Sequence, residues 1–316
     1  MSQVLINFDL PAPYIEQLNK KYAQLTFVHC TDRKEAFTYL PHTRILLTFF
    51  LCTRKMLDAA PELKWIQAIS AGVDYMDLEE IRRRRILLTN GRGISSIHMA
   101  EFAIGAMISL TRGFHLMVRN QMQKKWDRAL PSGEICGATV GIIGLGAIGA
   151  EVAKKASLMG MRVIGVRRTP DPLDYVEQVY PPEQMGPVFE QSDYIINLLP
   201  STPDTQKLID RRYFNLMKPT ACFINIGRGQ TVNEPDLIEA LQNKKIKAMV
   251  GDVYETEPLP QDSPLWDMDN VMISPHVCGM SPRYMARAME IIDHNLDAYV
   301  RGRGEMMNVV DLAAGY

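Results

Sequence analysis

Three ionisable side chains of different type each follow a short apolar run in this sequence. They are Arg228 in the segment NIGRG, Glu257 in DVYETEP and His276 in SPHVCG. A guanidinium can hold a carboxylate and polarise the neighbouring carbonyl group, an imidazolium can protonate a developing alkoxide, and a carboxylate can keep that imidazolium oriented and charged. Reduction of a 2-oxo acid needs this set of groups. Taken singly, each has a structural explanation: a surface arginine, a loop acid before proline, and a loop histidine that caps a neighbouring group.

Their positions in the chain indicate that the three groups meet. The segments 225–229, 251–258 and 274–279 each follow an apolar, strand-like run. In an open α/β sheet, the carboxyl ends of parallel strands lie at one edge, where ligands bind. We therefore expect Arg228, Glu257 and His276 to converge at that edge, beside a bound nicotinamide.

A glycine-rich turn predicts the coenzyme. The segment Gly144-Leu145-Gly146-Ala147-Ile148-Gly149 follows the apolar run 140–143 and opens a helical stretch from about 148 to 159. In a dinucleotide-binding turn the first glycine permits a tight turn, the second lets a pyrophosphate approach the backbone, and the third lets helix and strand pack closely. A purely structural glycine turn is the alternative, but the order strand, glycines, helix favours dinucleotide binding.

The next strand ends in basic residues. About 18 residues past the last glycine, where an NAD-binding unit presents an acid to the ribose hydroxyls, the sequence has Arg167, Arg168 and Thr169. Arginines at this place can bind a 2′-phosphate through charge-assisted, bidentate hydrogen bonds. The sequence therefore predicts NADP as coenzyme, with NADPH preferred over NADH. The alternative is a solvated pair of surface arginines.

The elements that must position these groups alternate regularly. Up to about residue 90, short apolar runs alternate with polar, helix-compatible stretches, which predicts a parallel sheet covered by helices. Apolar residues at helical spacing then predict one long helix from Ser95 to about Lys124, with Ser95 or Ser96 as its N-cap. A second strand and helix series runs to residue 273, and helical periodicity returns over 283–300. This spacing is typical of doubly wound α/β folds.

Composition argues against several other classes of protein. With 35 Lys and Arg against 36 Asp and Glu, the net charge is -1, so electrostatic attraction to nucleic acid or to an anionic membrane is weak. The longest uncharged stretch, 135–150, is 16 residues long and contains five glycines, too short for a spanning helix. The first residues indicate a strand rather than a signal peptide. Five widely spaced cysteines without a C-x-x-C pair predict reduced thiols, no metal site and a cytoplasmic protein.

In their order and spacing, these motifs resemble those of the D-isomer-specific 2-hydroxyacid dehydrogenases. The resemblance rests on the glycine turn, on LPSTPDT at 199–205, and on the segments that carry Arg228, Glu257 and His276, and it runs over nearly the whole chain. It implies that Arg228 binds the substrate carboxylate and carbonyl, that His276 is the acid/base and that Glu257 is its partner. It also implies a Rossmann cofactor domain, 98–283, inserted into a flavodoxin-like substrate domain, 1–97 and 284–316.

The resemblance extends to the binding residues. It implies that Asp252 meets the nicotinamide carboxamide, and that other coenzyme contacts come from the glycine turn and the following strand ends: Gly144, Gly146, Ala147, Ile148, Gly149, Leu199, Pro200, Thr205, Ile226, Gly227, Arg228, His276 and Gly279. A first-domain loop of such enzymes binds the substrate carboxylate through backbone N–H groups. The segment Ser70-Ala71-Gly72-Val73 looks like that loop, with a tight strand-to-helix turn as the alternative. In relatives a cleft between the domains closes on substrate, and a long helix after the first domain contributes to a homodimer.

Two features depart from the common pattern. Arg167 replaces the acidic ribose residue, which is similar to the NADPH-preferring glyoxylate/hydroxypyruvate reductase branch. The bulky residues Phe49, Phe50 and Leu51 predict a larger or more apolar 2-oxo acid than glyoxylate if they face the cleft, whereas the alternative is that they are core residues. Arg283, seven residues after His276, is a candidate second cation for the substrate.

The leading hypothesis is a cytosolic, NADPH-dependent reductase that converts a small 2-oxo acid to the D-2-hydroxy acid. A second enzymatic interpretation is D-3-phosphoglycerate dehydrogenase, which favours additional basic substrate contacts. Formate or phosphite oxidation on the same scaffold fits less well, because the Arg, Glu and His set is the hydroxyacid arrangement. From a different class, the same fold serves as a nucleotide-sensing corepressor that binds peptide motifs.

Overall fold

The chain forms two compact units. The computed structural model describes residues 2–49, 52–302 and 304–315. One unit comprises Met1–Ile94 and Ser281–Tyr316, and the other comprises Ser95–Met280. These divisions fall three residues before the boundaries expected from the sequence. Each unit has its own parallel sheet and its own two hydrophobic cores, one on each face of the sheet.

The first unit is built on a five-stranded sheet. Its strands are β1 (Ser2–Asn7), β2 (Leu25–His29), β3 (Thr43–Thr48), β4 (Trp65–Ala68) and β5 (Leu87–Thr89). Their order is β2-β1-β3-β4-β5, and every neighbouring pair is parallel. This is the flavodoxin-like order of a doubly wound sheet.

Helices from both ends of the chain cover this sheet. They are α1 (Ala12–Lys21), α2 (Arg33–Tyr39), α3 (Arg54–Ala59), α4 (Leu78–Arg83) and, from the far end, α11 (Tyr284–Arg301). Successive strand residues point to opposite faces, so Leu46 enters one core with Leu57 of α3, while Ile45 enters another with Ile292 of α11. The last helix therefore completes one of the two hydrophobic cores of the first unit.

The second unit has a seven-stranded parallel sheet. Its strands are β6 (Thr139–Ile143), β7 (Arg162–Val166), β8 (Gln178–Tyr180), β9 (Tyr194–Asn197), β10 (Cys222–Asn225), β11 (Ala248–Gly251) and β12 (Val271–Ile273). The order is β12-β11-β10-β9-β6-β7-β8. Strands β7 and β8 are added on one side of β6, and β9 to β12 are added on the other. The boundary between β6 and β9 is therefore the switch point where doubly wound folds bind dinucleotides. The predicted fold class, two doubly wound parallel sheets, is confirmed.

Six helices belong to this unit. They are α5 (Ser96–Arg112), α6 (Phe114–Met122), α7 (Ala147–Leu158), α8 (Gly186–Gln191), α9 (Arg211–Phe214) and α10 (Glu234–Gln242). Met107 of α5 and Val152 of α7 pack with Ile142 of β6 in one core, and Ile143 enters the core on the other face. Among the described residues, no helix is long and apolar enough to cross a membrane.

The single long helix expected over 95–124 is wrong. Gly113 separates α5 from α6 and has φ +65°, in the left-handed region that glycine adopts without the steric cost of a Cβ. Its N–H bonds to the carbonyl of Ser109 and ends α5. Apolar residues keep their helical spacing through the break, so periodicity alone did not detect it. Ser95 holds the N-cap position, but its side chain makes no capping hydrogen bond.

Strand β8 was not predicted from the sequence. It is only three residues long and lies at the edge of the sheet. A strand of three residues is too short to show a recognisable apolar pattern, so its sequence signal is weak.

Candidate active site

The turn between β6 and α7 has the shape of a phosphate-binding turn. Gly144 has φ +108°, and a Cβ placed on Gly149 would lie 2.4 Å from the carbonyl oxygen of Gly144. Only glycine therefore lets α7 pack this closely on the turn. Among the described residues, and apart from its own chain neighbours, a Cβ at Gly146 would meet no atom within 4 Å. Beside this open space lie the first N–H groups of α7, on Ala147 and Ile148, which no helical carbonyl can reach. These features fit a dinucleotide pyrophosphate.

The end of β7 is basic and exposed. Arg167, Arg168 and Thr169 follow the strand directly, and all three are exposed. The backbone N–H of Arg167 donates to the carbonyl of Tyr180 at 3.0 Å, which holds the chain at the sheet edge. Within residues 2–49, 52–302 and 304–315, no carboxylate lies within ion-pairing distance of the Arg167 side chain. Its charge is available to an external anion.

A histidine and a glutamate form a hydrogen-bonded pair after β11 and β12. Nδ1 of His276 lies 2.7 Å from Oε2 of Glu257. The other carboxylate oxygen, Oε1, accepts the backbone N–H of Tyr254 at 3.0 Å, so Glu257 is held at both oxygens. The His276 side chain is 54% exposed. Because Nδ1 is bonded to the carboxylate, Nε2 is the ring nitrogen placed to exchange a proton with a ligand.

The turn that carries His276 is organised by a buried carboxylate. Asp252 is fully buried, and its Oδ1 accepts the hydroxyl of Ser274 and the N–H of Val277, the latter at 2.9 Å. Its Oδ2 accepts the N–H of Cys278 at 3.1 Å. The turn places His276 at φ +55°, an uncommon value for a residue with a Cβ. By holding the backbone of this turn, the buried carboxylate sets the direction in which the His276 side chain leaves the backbone.

Sequence reasoning missed two of the residues that hold this turn. Ser274 begins the segment SPHVCG, but only the fold shows that its hydroxyl bonds to Asp252. His98, in the first turn of α5, has Nε2 2.9 Å from the carbonyl oxygen of Gly279. Since 181 residues separate His98 from Gly279, no local pattern could have linked them.

Arg228 lies between two glycines that no larger residue can replace. A Cβ at Gly227 would lie 2.9 Å from the backbone N and O of Leu199, and one at Gly229 would lie 1.9 Å from the carbonyl oxygen of Tyr254. Arg228 itself is half-buried, and its Nη1 donates to the carbonyl of Gly227 at 3.0 Å. The close packing of the neighbouring strand ends thus determines the backbone position from which the Arg228 side chain extends.

The fold connects the three predicted catalytic groups. Gly229, next to Arg228, packs on the carbonyl of Tyr254, and the N–H of the same Tyr254 donates to Glu257, which bonds to His276. All three groups follow the carboxyl ends of adjacent strands β10, β11 and β12. A cation, an acid/base and its carboxylate partner therefore lie at one edge of the second sheet, the chemistry that a 2-oxo acid requires.

The segment expected to flank the adenosine forms a closed turn after β9. The hydroxyl of Thr205 donates to the carbonyl of Pro200 at 2.6 Å and accepts the N–H of Thr202 at 2.8 Å. Leu199 and Pro200 are half-buried. Ile226, in contrast, has its side chain in the hydrophobic core, so only its backbone can contact a coenzyme.

In the first unit, the loop after β4 turns its carbonyl groups inward. The N–H of Gly91 donates to the carbonyl of Ser70 at 2.8 Å, and the Asn90 side chain donates to the carbonyl of Ala71 at 2.8 Å. The hydroxyl of Ser70 donates to the carbonyl of Gly72 at 3.0 Å. In the part of the chain that the structure describes, the N–H groups of residues 71–73 have no acceptor. Three adjacent free N–H groups suit a carboxylate.

The remaining predicted substrate residues of this unit have different surroundings. The ring of Phe49 packs edge-on against Tyr284, with ring centroids 5.7 Å apart, and belongs to the core that α11 completes. Phe50 and Leu51 lie outside the described residues. Arg283 is exposed at the N-cap of α11, and its N–H donates to the Ser281 hydroxyl at 3.2 Å.

Four of the five cysteine thiols are buried. All five cysteines are free, and only Cys136 is exposed. Burial raises the pKa of the Cys222 thiol to about 11 and also raises that of Cys278, so both stay protonated near neutral pH. No cluster of His, Cys, Asp and Glu able to hold a metal ion occurs among the described residues.

Comparison with known proteins decides the family. A family model described as D-isomer specific 2-hydroxyacid dehydrogenase, NAD binding domain, matches residues 104–278. The chain belongs to that family. It is therefore an NAD(P)-dependent D-2-hydroxyacid dehydrogenase, as the order of the motifs predicted, with an NAD-binding domain in its second unit.

Relatives of similar sequence are named for different substrates. A glyoxylate reductase of Thermofilum pendens is 33% identical over 78% of this chain and 75% of its own length. A D-3-phosphoglycerate dehydrogenase of Methanocaldococcus jannaschii is 34% identical over 79% of this chain, but only 48% of its own length is matched. The shared enzyme class is thus clear, whereas the substrate differs between relatives.

Solved structures resemble the chain over almost its full length. A family protein from Aeromonas salmonicida superimposes with a TM-score of 0.87 at 31% identity and covers 98% of this chain and 99% of its own. An NADPH-dependent glyoxylate/hydroxypyruvate reductase from Sinorhizobium meliloti, in complex with NADP and sulfate, gives 0.85 at 26% identity and covers 100% of both chains. The two-unit fold is therefore that of this family.

The open space at Gly146 allows dinucleotide binding to be tested apart from folding. We expect Gly146→Ala to leave the melting temperature unchanged, because the new methyl meets no protein atom, and to weaken NADPH binding about tenfold or more by obstructing the pyrophosphate. Gly105→Ala in α5, where a Cβ also meets nothing within 4 Å, is the matched control and should bind normally. Thermal melts and fluorescence titration with NADPH measure both effects. Unchanged affinity in Gly146→Ala would contradict the assignment of this turn.

Proposed function

We propose that this protein is an NADPH-dependent reductase that converts a small 2-oxo acid to the corresponding D-2-hydroxy acid. The observation that carries the proposal is the His276 and Glu257 pair, bonded at 2.7 Å, on the same sheet edge as Arg228. An acid/base held by a carboxylate, with a guanidinium on the adjoining strand end, suits the protonation of an alkoxide beside a bound carboxylate.

The proposed chemistry divides between coenzyme and protein. NADPH, when bound at the glycine turn, supplies the hydride. His276 donates a proton from Nε2 to the oxygen of the substrate carbonyl, which would otherwise carry the developing negative charge. Glu257 stabilises the charged imidazolium through Nδ1 and, because its second oxygen is held by Tyr254, keeps the ring from rotating. Arg228 attracts the substrate carboxylate and polarises the carbonyl group.

The first unit is proposed to supply further substrate contacts. The N–H groups of Ala71, Gly72 and Val73 bind the carboxylate, since the carbonyls of the loop are already held by Gly91, by Asn90 and by Ser70 itself. A row of N–H groups binds a carboxylate without a buried charge on the protein. Exposed Arg283 is the second candidate in this unit.

Loss of His276 tests the reaction type directly. We expect His276→Ala to lower kcat for reduction by about 10²- to 10⁴-fold, because the alkoxide loses its proton donor, while the affinity for NADPH is nearly unchanged. His42→Ala, which removes an exposed imidazole from the first unit, is the control and should keep wild-type kcat. The assay is NADPH oxidation with glyoxylate, hydroxypyruvate, its phosphate ester and larger apolar 2-oxo acids.

The outcomes of this assay separate the hypotheses. Highest kcat/KM for the phosphate ester would favour the phosphoglycerate dehydrogenase interpretation, to which the relative from Methanocaldococcus jannaschii points. A wild type that binds NADPH but reduces none of these acids would favour a nucleotide sensor. A fully active His276→Ala enzyme would remove the histidine from the mechanism.

The preference for NADPH is proposed to come from the end of β7. Arg167 and Arg168 are exposed there with Thr169, where the coenzyme's ribose phosphate lies in this fold class. Two permanent charges and a hydroxyl attract a phosphate, whereas an acidic residue at this place would repel it. The NADP bound to the Sinorhizobium meliloti relative supports the same coenzyme.

Reversing one charge should change the coenzyme ratio. We expect Arg167→Asp to lower the ratio of kcat/KM for NADPH over NADH by about tenfold to a hundredfold, the effect of one or two charge-assisted hydrogen bonds. Arg44→Asp makes the same charge change on an exposed residue of β3 and should leave the ratio unaltered. The measurement is kcat/KM for both coenzymes at saturating 2-oxo acid. A wild-type preference for NADH would show that these arginines are only surface charges.

A homodimer is proposed from the surface around α6. None of the nine residues of this helix is buried, although an isolated helix this short is marginal in water. Its large apolar side chains, with a neighbouring tryptophan, face solvent: Phe114, Met117, Val118, Met122 and Trp126. A second copy of the chain would cover them, as the family resemblance implies. The five free cysteines suit the reducing cytoplasm, which we propose as its location.

Charges placed on this surface should separate the subunits. We expect wild-type protein to sediment at twice the chain mass of 35.7 kDa. The double variant Met122→Glu, Trp126→Glu should sediment as a monomer, because both side chains are more than 80% exposed and would bring carboxylates into the interface. Leu216→Glu, on a different exposed apolar residue, is the control and should remain dimeric. Monomeric wild type at micromolar concentration would contradict the proposal.

A further inference from the structure

A tyrosine hydroxyl contacts the loop whose N–H groups at residues 71–73 have no acceptor among the described residues. The Tyr75 hydroxyl is hydrogen-bonded to Oγ of Ser70 and lies 3.3 Å from the carbonyl oxygen of Phe49. Ser70 Oγ, in turn, bonds to the carbonyl of Gly72 at 3.0 Å. The phenol therefore connects the first residue of the loop to the residue that follows β3.

We propose that Tyr75 is a positioning residue for substrate binding, because its hydroxyl sets the direction of the loop N–H groups through Ser70. This inference rests on the proposed function, in which the N–H groups of residues 71–73 bind the substrate carboxylate. Tyr75 itself does not touch the substrate in this proposal. It acts on KM for the 2-oxo acid through the loop.

The two hydroxyls have too few protons to donate in all three of these contacts. Each hydroxyl has one proton, so the contacts from Ser70 to Gly72, between Ser70 and Tyr75, and from Tyr75 to Phe49 cannot all be donated at once. The arrangement with the two shorter contacts has Tyr75 donating to Ser70 and Ser70 donating to the carbonyl of Gly72. The phenol then determines which way the serine hydroxyl points.

Fixing the carbonyl of Gly72 also fixes the next N–H. The peptide group is planar, so the carbonyl of Gly72 and the N–H of Val73 point in opposite directions. The carbonyls of Ser70 and Ala71 are held by Gly91 and Asn90, which belong to the chain after β5. Of these three described carbonyls, only that of Gly72 bonds to a side chain of the loop itself. It is therefore the peptide group that loss of the phenol would release.

The ring of Tyr75 has a separate, structural role. It packs at the border of the core that contains Val73 and Met76, and this packing needs no hydroxyl. Tyr75→Phe therefore keeps the ring and removes the hydroxyl with its contacts to Ser70 and Phe49. Tyr39→Phe is the matched control, since its hydroxyl donates to the Glu35 carboxylate at 3.3 Å on α2, away from the loop.

The test is steady-state kinetics of the full-length protein with whichever of glyoxylate or hydroxypyruvate it reduces better. We expect Tyr75→Phe to raise KM for the 2-oxo acid about 3- to 10-fold, the effect of one hydrogen bond, with kcat and KM for NADPH within about twofold of wild type. Tyr39→Phe should match wild type in all three constants. A parallel rise of KM in Ser70→Ala, with no further rise in the double variant, would show that the two hydroxyls act through one link.

Other results would overturn the inference. An unchanged KM in Tyr75→Phe would show that the hydroxyl does not position the loop, and equal losses in kcat, NADPH binding and melting temperature would show a general structural role. Additive effects in the double variant would contradict the shared link. The wild-type reaction is measured first, because absence of turnover with every 2-oxo acid overturns the proposed function, whereas turnover with an unaltered KM in Tyr75→Phe overturns only the role of this tyrosine.

Discussion

The buried carboxylate of Asp252 is the interaction on which the geometry of the second unit's site depends. A charge without solvent is costly unless its oxygens are hydrogen-bonded, and here the donors come from one short turn: the hydroxyl of Ser274 and the N–H groups of Val277 and Cys278. Satisfying these bonds draws the chain around the carboxylate. His276, in the middle of the turn, consequently lies in the left-handed region and projects outward.

This arrangement explains how a half-exposed histidine can have a defined direction. The imidazole is held at Nδ1 by Glu257, and Glu257 is held in turn by the N–H of Tyr254. Three residues past His276, the carbonyl of Gly279 bonds to the ring of His98. Ordering a loop side chain costs rotational entropy. Several hydrogen bonds to nearby backbone groups are therefore needed to keep this one proton donor in place.

Close backbone contacts impose the second constraint. The strand ends around Arg228 approach each other until no Cβ fits at Gly229, while the helix of the glycine turn approaches until none fits at Gly149. At Gly146 the reason for glycine is different, because the surrounding protein leaves the position open. Glycine at Gly229 and Gly149 allows close backbone packing, whereas glycine at Gly146 leaves space in which a ligand fits. The distinction follows from the distances and not from the residue type.

The sequence by itself determined the two doubly wound sheets, most strand positions, the glycine turn, the three ionisable groups at the strand ends and the enzyme class. These features could be read because apolar runs, glycine spacing and strand-end residues are local patterns, and because parallel strands bring their carboxyl ends to one edge whatever the details. Local patterns did not reveal the break at Gly113, since the apolar spacing continues through it, or the three-residue edge strand β8. Only the tertiary structure decided that Asp252 anchors the turn of His276, that His98 reaches Gly279 across 181 residues, and that the Tyr75 hydroxyl meets Ser70. Those contacts depend on where each side chain points. That direction is set by backbone angles and packing, which cannot be read from residue types and their spacing.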